Sequence, residues 1–145
     1  MTNNRFWYLV QKLDWHNSDY DCGRLGMLLV NLIDNIEEIE EMREMAREKR
    51  HELDKQLFDY GQKNPKQHYW GGDDSFWDFT AHIVGMGKEF FNRVKASSEV
   101  INELGDNFVE NFEYIFTNAK NFAATKEGQQ ILNKKKRKEK LERLV

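Results

Sequence analysis

The chain has 145 residues, 39% of them hydrophobic, 32% charged and 13% aromatic, which suits one domain and is too rich in aromatic rings for a fully disordered chain. Its one Cys, Cys22, excludes a disulfide framework and a Cys-rich zinc site, and one Pro with 9 Gly leaves little material for the turns of an all-β fold. The net charge of −3 is divided unevenly: residues 126–145 balance at +5 and residues 1–125 at −8, an acidic body that favours basic partners and repels nucleic acid.

The mean hydropathy is −0.84. The longest apolar stretch, residues 25–33, is interrupted by Gly26 and Asn31 and falls short of the roughly 20 residues of a membrane span. Residues 1–5 show no signal-peptide pattern, so a cytoplasmic protein is expected.

The first predicted helix covers residues 4–13. Phe6, Leu9, Val10 and Leu13 recur on one face, and Asn3 or Asn4 caps it. Residues 14–19 read as a polar turn. A helical region follows over residues 19–60, with an apolar face from Leu25 to Ile36 continued by Ile39, Met42, Met45, Ala46, Leu53 and Leu57. Asp34 with Glu37, and Asn35 with Glu38, both read as capping pairs, so a break is expected at Asp34-Asn35. Between residues 37 and 52, Glu and Arg at i, i+3 and i+4 spacings lace a solvated face.

Residues 61–74 read as a loop, since Asn64-Pro65 and Gly71-Gly72 are strong breakers. Ser75 with Asp78 forms a capping box that opens the next helix, lined by Phe76, Phe79, Thr80, Ile83 and Val84. Gly85-Met86-Gly87 interrupts it, and Phe90, Phe91 and Val94 resume the pattern. Ser97 or Ser98 caps a short helix that ends at Gly105. Asn107 and Glu110 open the last body helix, with Phe108, Val109, Phe112, Ile115, Phe116, Ala119, Phe122 and Ala123 as its stripe. The expected fold is all-α: a compact bundle of about five to six helices over residues 1–125, followed by a basic, flexible tail over residues 126–145. Like-charge repulsion in Lys134-Lys135-Lys136-Arg137-Lys138 underlies the expected flexibility, and Leu141, Leu144 and Val145 are the residues that would extend the tail as a weak helix.

The segment Trp70-Gly71-Gly72-Asp73-Asp74-Ser75-Phe76-Trp77-Asp78-Phe79, continued by Ile83, Gly87, Glu89 and Phe90, resembles the uncharacterised bacterial family numbered 4240 among the domains of unknown function. Phe6-Trp7-x-x-Val10 is similar to that family's first helix, and residues 39–60 look like its middle helix. The resemblance spans roughly residues 5–125. The family's Cys-Ser between the glycines and the acidic pair is missing here, and Thr80-Ala81-His82 stands where it has Arg-x-Trp. The resemblance implies a mostly helical fold and no established reaction.

Tyr69, Trp70 and Trp77, with Asp73 and Asp74, form the candidate interaction loop. Aromatics there either close over the core or make a contact site of the kind enriched at interfaces. The helix dipole accounts for Asp73 and Asp74 without a ligand. The sharper alternative is a metal or cation site completed by His68, which would make the protein a metal-dependent or hydrolytic enzyme. Glu48 with His51 and Asp78 with His82 have ligand spacing, but a di-metal bundle needs more carboxylates. Gly85-Met86-Gly87 lacks the third glycine of a nucleotide loop, and Cys22 has only His16 nearby in sequence. No catalytic, cofactor-binding or metal residue is therefore assigned. The leading expectation is a small acidic domain that binds a protein, of inhibitor or immunity type, with a basic partner. Lys134, Lys135, Lys136, Arg137 and Lys138 are the candidate phosphate contacts of a nucleic-acid alternative.

Overall fold

The computed structural model describes residues 1–65, 73–105, 108, 109 and 111–144, and of Asp73 and Asp74 the backbone alone. These residues form seven α-helices and two 3-10 segments with no strand among them, so the all-α expectation holds with more helices than the five or six expected. Helix α1 spans Asn3–Leu13, α2 Cys22–Leu32, α3 Glu37–Lys63, α4 Asp73–Gly85, α5 Lys88–Ala96, α6 Tyr114–Ala123 and α7 Lys126–Arg143. The 3-10 segments are Trp15–Asn17 and Ser98–Leu104.

The centre of the molecule is the pair α2 and α6, which pack more extensively than any other two helices described. Leu25, Leu29 and Val30 of α2 and Ile115, Phe116 and Ala119 of α6 are all buried. Gly26 makes this approach possible. A Cβ there would stand 2.7 Å from Asn118 Cβ and 2.8 Å from the Ala119 nitrogen, closer than atoms pack. Helix α1 lies on α2, α3 spans α4 and α6, and α7 lies on α6 and α2.

The capping residues differ from those expected at α1. Thr2 is the N-cap, with its Oγ1 accepting from the Arg5 amide at 3.1 Å. The polar turn over residues 14–19 hides a buried ring: Trp15 is fully enclosed despite its polar neighbours. The break before α3 falls where it was expected. The N-cap of α3 is Ile36, so the side chains of Asp34 and Asn35 do not cap it; Glu38 Oε1 instead reaches back to accept from the Asp34 amide at 2.6 Å. Arg5 then grips the same carboxylate with two parallel bonds, Nε to Oε2 at 2.9 Å and Nη2 to Oε1 at 3.0 Å, tying α1 to the start of α3.

Helix α3 runs through Gly61, which is buried, and ends at Lys63, so the loop begins three residues later than expected. Helix α4 starts at Asp73, which puts Ser75 inside its first turn rather than at its cap. Gly87, at φ +109°, separates α4 from α5 in backbone space that side chains rarely enter. Gly105, at φ +63°, ends the Ser98–Leu104 segment, which is a 3-10 helix.

The last body helix is shorter than its apolar stripe. Phe108 and Val109 are not helical, and α6 starts at Tyr114. The expected capping residues Asn107 and Glu110 lie outside the described residues. The segment expected as a flexible tail is the helix α7. Thr125 caps it, with Oγ1 accepting from the Gly128 amide at 3.1 Å, and Leu132 is buried.

Candidate functional site

Tyr69, Trp70 and His68 lie outside the described residues, as do the side chains of Asp73 and Asp74. Trp77 is the member of the expected interaction loop whose side chain is described. It projects from α4 with 49% of its surface exposed, so it does not close over the core.

Trp77 forms one wall of an open hollow of about 560 Å³. Helix α3 supplies Arg43, Arg47 and Arg50, at i, i+4 and i+7, hence on one face. Tyr114, 62% exposed at the start of α6, forms another wall. Arg50 Nη1 donates to Glu113 Oε2 at 2.9 Å, which fixes the start of α6 against α3 and sets Tyr114 beside the arginines. Arg43 leans on Glu40 at 3.7 Å, and exposed Arg47 makes no ion pair among the described residues. The lining thus carries three guanidiniums against one carboxylate, on a body that is acidic as a whole. In the same stretch of α3, Arg50 Nε and Asp54 Oδ1 are buried without a partner among the described residues. His51, which has ligand spacing from Glu48, meets the other oxygen of Asp54 with Nδ1 at 2.7 Å.

A second polar cluster is internal. His82 of α4 is buried, and its Nδ1 accepts the Val109 amide at 2.9 Å. The neutral ring therefore carries its proton on Nε2. Burial lowers the His82 pKa to about 4. The ring packs on Trp15 at a centroid distance of 5.0 Å, and Trp15 Nε1 donates to Asn111 Oδ1 at 3.0 Å. Asn111 Nδ2 donates to the Tyr20 carbonyl at 3.1 Å, and Cys22 Sγ donates to the Asn111 carbonyl at 3.0 Å. Burial also pushes the Cys22 thiol up, against thiolate chemistry, and His16 Nδ1 meets the Tyr20 hydroxyl instead of the thiol. These residues hold the turn after α1 onto the segment before α6, a structural task. Asp78 and His82 do not form the surface pair that their spacing allowed, because His82 points inward.

A second hollow, about 650 Å³, lies between α1 and the α4–α5 junction. It gathers uncharged amides such as Asn4, Gln11 and Asn92, with Lys88 and Glu89 of opposite sign.

The basic run on α7 is divided. Lys134, Lys136, Arg137 and Lys138 are exposed. Lys135 instead turns into the end of α2, where Nζ donates to the carbonyls of Val30 at 2.8 Å, Asn31 at 2.6 Å and Ile33. Burial lowers its pKa, opposed by Asp34. Lys135 is thus a C-terminal cap for α2 and is withdrawn from the candidate phosphate contacts. Among the described residues no group of three or more His, Cys, Asp or Glu could hold a metal, and no helix is long and apolar enough to cross a membrane.

Sequence reading missed Arg43, Arg47, Arg50 and Tyr114. The arginines were grouped with the glutamates of a solvated face. Tyr114 carried a usable signal, since it is a large ring lying off the stripe of Phe112, Ile115 and Phe116. A family model described as Protein of unknown function (DUF4240) matches residues 1–127. No curated protein and no solved structure matched the chain.

Proposed function

We propose that this chain, which belongs to the DUF4240 family, is a protein-interaction domain whose contact face is the Trp77–Tyr114 side of the molecule. The observation that carries the reading is the pair of large rings held in water beside arginines. Burying such rings is favourable, and a monomer keeps them exposed at the cost of that burial. Trp, Tyr and Arg are also the residues that dominate binding energy at protein interfaces. Occlusion of a partner's surface, as a small inhibitor or immunity protein acts, needs a contact face and no reacting group.

The basic partner expected from the charge of the whole body rests on long-range steering. At the contact face the local sign is reversed. The nucleic-acid alternative rests on the exposed Lys134, Lys136, Arg137 and Lys138 of α7. It requires binding that falls steeply with salt and is lost when residues 134–145 are removed.

The test is affinity capture from the native host with the wild-type chain and with Trp77→Ala plus Tyr114→Ala, quantified by mass spectrometry. A partner retained by the first and lost by the second supports the reading. The same set of proteins on both baits refutes it.

A further inference from the structure

The arginine hollow has a polarity that the overall charge of the molecule conceals. Residues 1–125 balance at −8, yet the hollow beside Trp77 is lined by three guanidiniums and one carboxylate. Arg50 is already committed to Glu113, so it shapes the floor. Arg43 and Arg47, one turn apart on α3, are the groups with donors to offer. A guanidinium presents five N–H donors in a planar fork that matches a carboxylate, and two of them one turn apart can share one anionic group or take two. Trp77 and Tyr114 add flat apolar area next to that anion site.

Resting on the interaction reading above, we propose that the hollow receives an acidic segment of the partner protein. A carboxylate side chain seats on Arg43 and Arg47, and a neighbouring apolar or aromatic side chain lies on Trp77 and Tyr114. Nucleic acid fits the hollow less well. A phosphate backbone gains affinity by engaging many cations along a track, and here Arg50 is paired with Glu113 and Arg43 leans on Glu40. The acidic body also repels a polyanion at long range, whereas a short acidic segment needs only the local field. The expected partner is therefore one that presents an acidic side chain next to an apolar one, whatever its net charge.

The experiment selects a random dodecapeptide display library on the intact chain, with counter-selection on Arg43→Glu plus Arg47→Glu. Both substitutions are on the solvent side of α3, so the thermal midpoint of the variant should stay within about 3 °C of wild type. The expected result is enrichment of peptides with Asp or Glu beside a large apolar residue. The best of them, resynthesised, should lose at least about tenfold in affinity on the glutamate variant and on Trp77→Ala. Arg43→Lys plus Arg47→Lys should keep part of that affinity, since the charge remains and the fork is lost.

Enrichment of basic peptides, no enrichment, or binding that the glutamate variant leaves unchanged would overturn the inference. A single-stranded oligonucleotide bound in place of peptides, and lost in the same variant, would overturn it too. If host capture still depends on Trp77 and Tyr114 while the selected peptides are basic, the acidic segment is wrong and the interaction reading stands. If neither capture nor selection depends on this face, both fall.

Discussion

His82 accepts the Val109 amide at Nδ1 in a site closed to water, so protonating the folded protein means charging a buried ring. Its pKa is about 4 in the fold against about 6.5 for a free imidazole. Between these values the unfolded chain binds more protons than the native one, so stability rises with pH. The contribution is complete above about pH 6.5 and is lost as pH falls toward 4, roughly 2 kcal/mol of it between pH 7 and pH 5. Urea unfolding at the two pH values should show that loss in the wild type. His82→Asn, which keeps an acceptor for Val109 and cannot titrate, should show a smaller one. Glu38 gives the opposite kind of test. Burial raises its pKa, but the Arg5 and Asp34 hydrogen bonds outweigh that and hold it below the usual carboxylate range. Glu38→Ala strands the Asp34 amide and leaves Arg5 the Leu32 carbonyl and the exposed Asp34 carboxylate, and should cost about 1–3 kcal/mol in denaturant unfolding. Arg5→Ala added to it should cost much less than its own single effect. Glu38 is legible in sequence as a residue of the break before α3, and the burial of His82 is not. Trp15 sits among Asp14, His16 and Asn17, and the burial of Trp15 and His82 depends on segments 96 and 27 residues away.

At the scale of helices, Gly26 is where α2 and α6 come closest. Gly26→Ala forces a methyl against Asn118 and the Ala119 backbone, so the pair must part, at a cost of about 1–3 kcal/mol. Alanine is the better helix former, so a rise in thermal midpoint would refute the close approach. Phe112→Ala, emptying a buried ring site against Trp15 and Phe116, should cost about 3–5 kcal/mol. Helix α7 divides at Lys135. Lys135→Ala removes the cap on α2 and should cost about 1 kcal/mol, while deletion of residues 139–145 should change stability by less than about 0.5 kcal/mol. The break between α2 and α3 was legible because Asp34, Asn35 and Glu38 are near one another in sequence, and Glu38 reaches back to the Asp34 amide. The start of α6 was not. Phe108 and Val109 continue the helical stripe, but the Val109 amide is taken by His82, and Asn111 is taken by Trp15 and Tyr20. Competing tertiary bonds hold Val109 and Asn111 out of the helix, and periodicity alone cannot register them.

Across the whole molecule, fold class was legible because amphipathic periodicity is local, and the contact face was not because it is assembled. Its arginines come from α3, its tryptophan from α4 and its tyrosine from α6, so their neighbourhood exists only after folding. The same long reach governs the order in which the fold is made. Helix α2 is synthesised well before its chief partner α6: Cys22 meets the carbonyl of Asn111, 89 positions later. At roughly 5–20 residues per second, the apolar face of α2 waits about 4 to 18 s on the ribosome for its counterpart. Helices α1, α2 and α3 lack the α6 side of their core in that interval, so completion of the fold is expected to be late. Stalled chains should show it: those ending near residue 110 should be cut readily by protease, and those with residue 145 clear of the exit tunnel should resist.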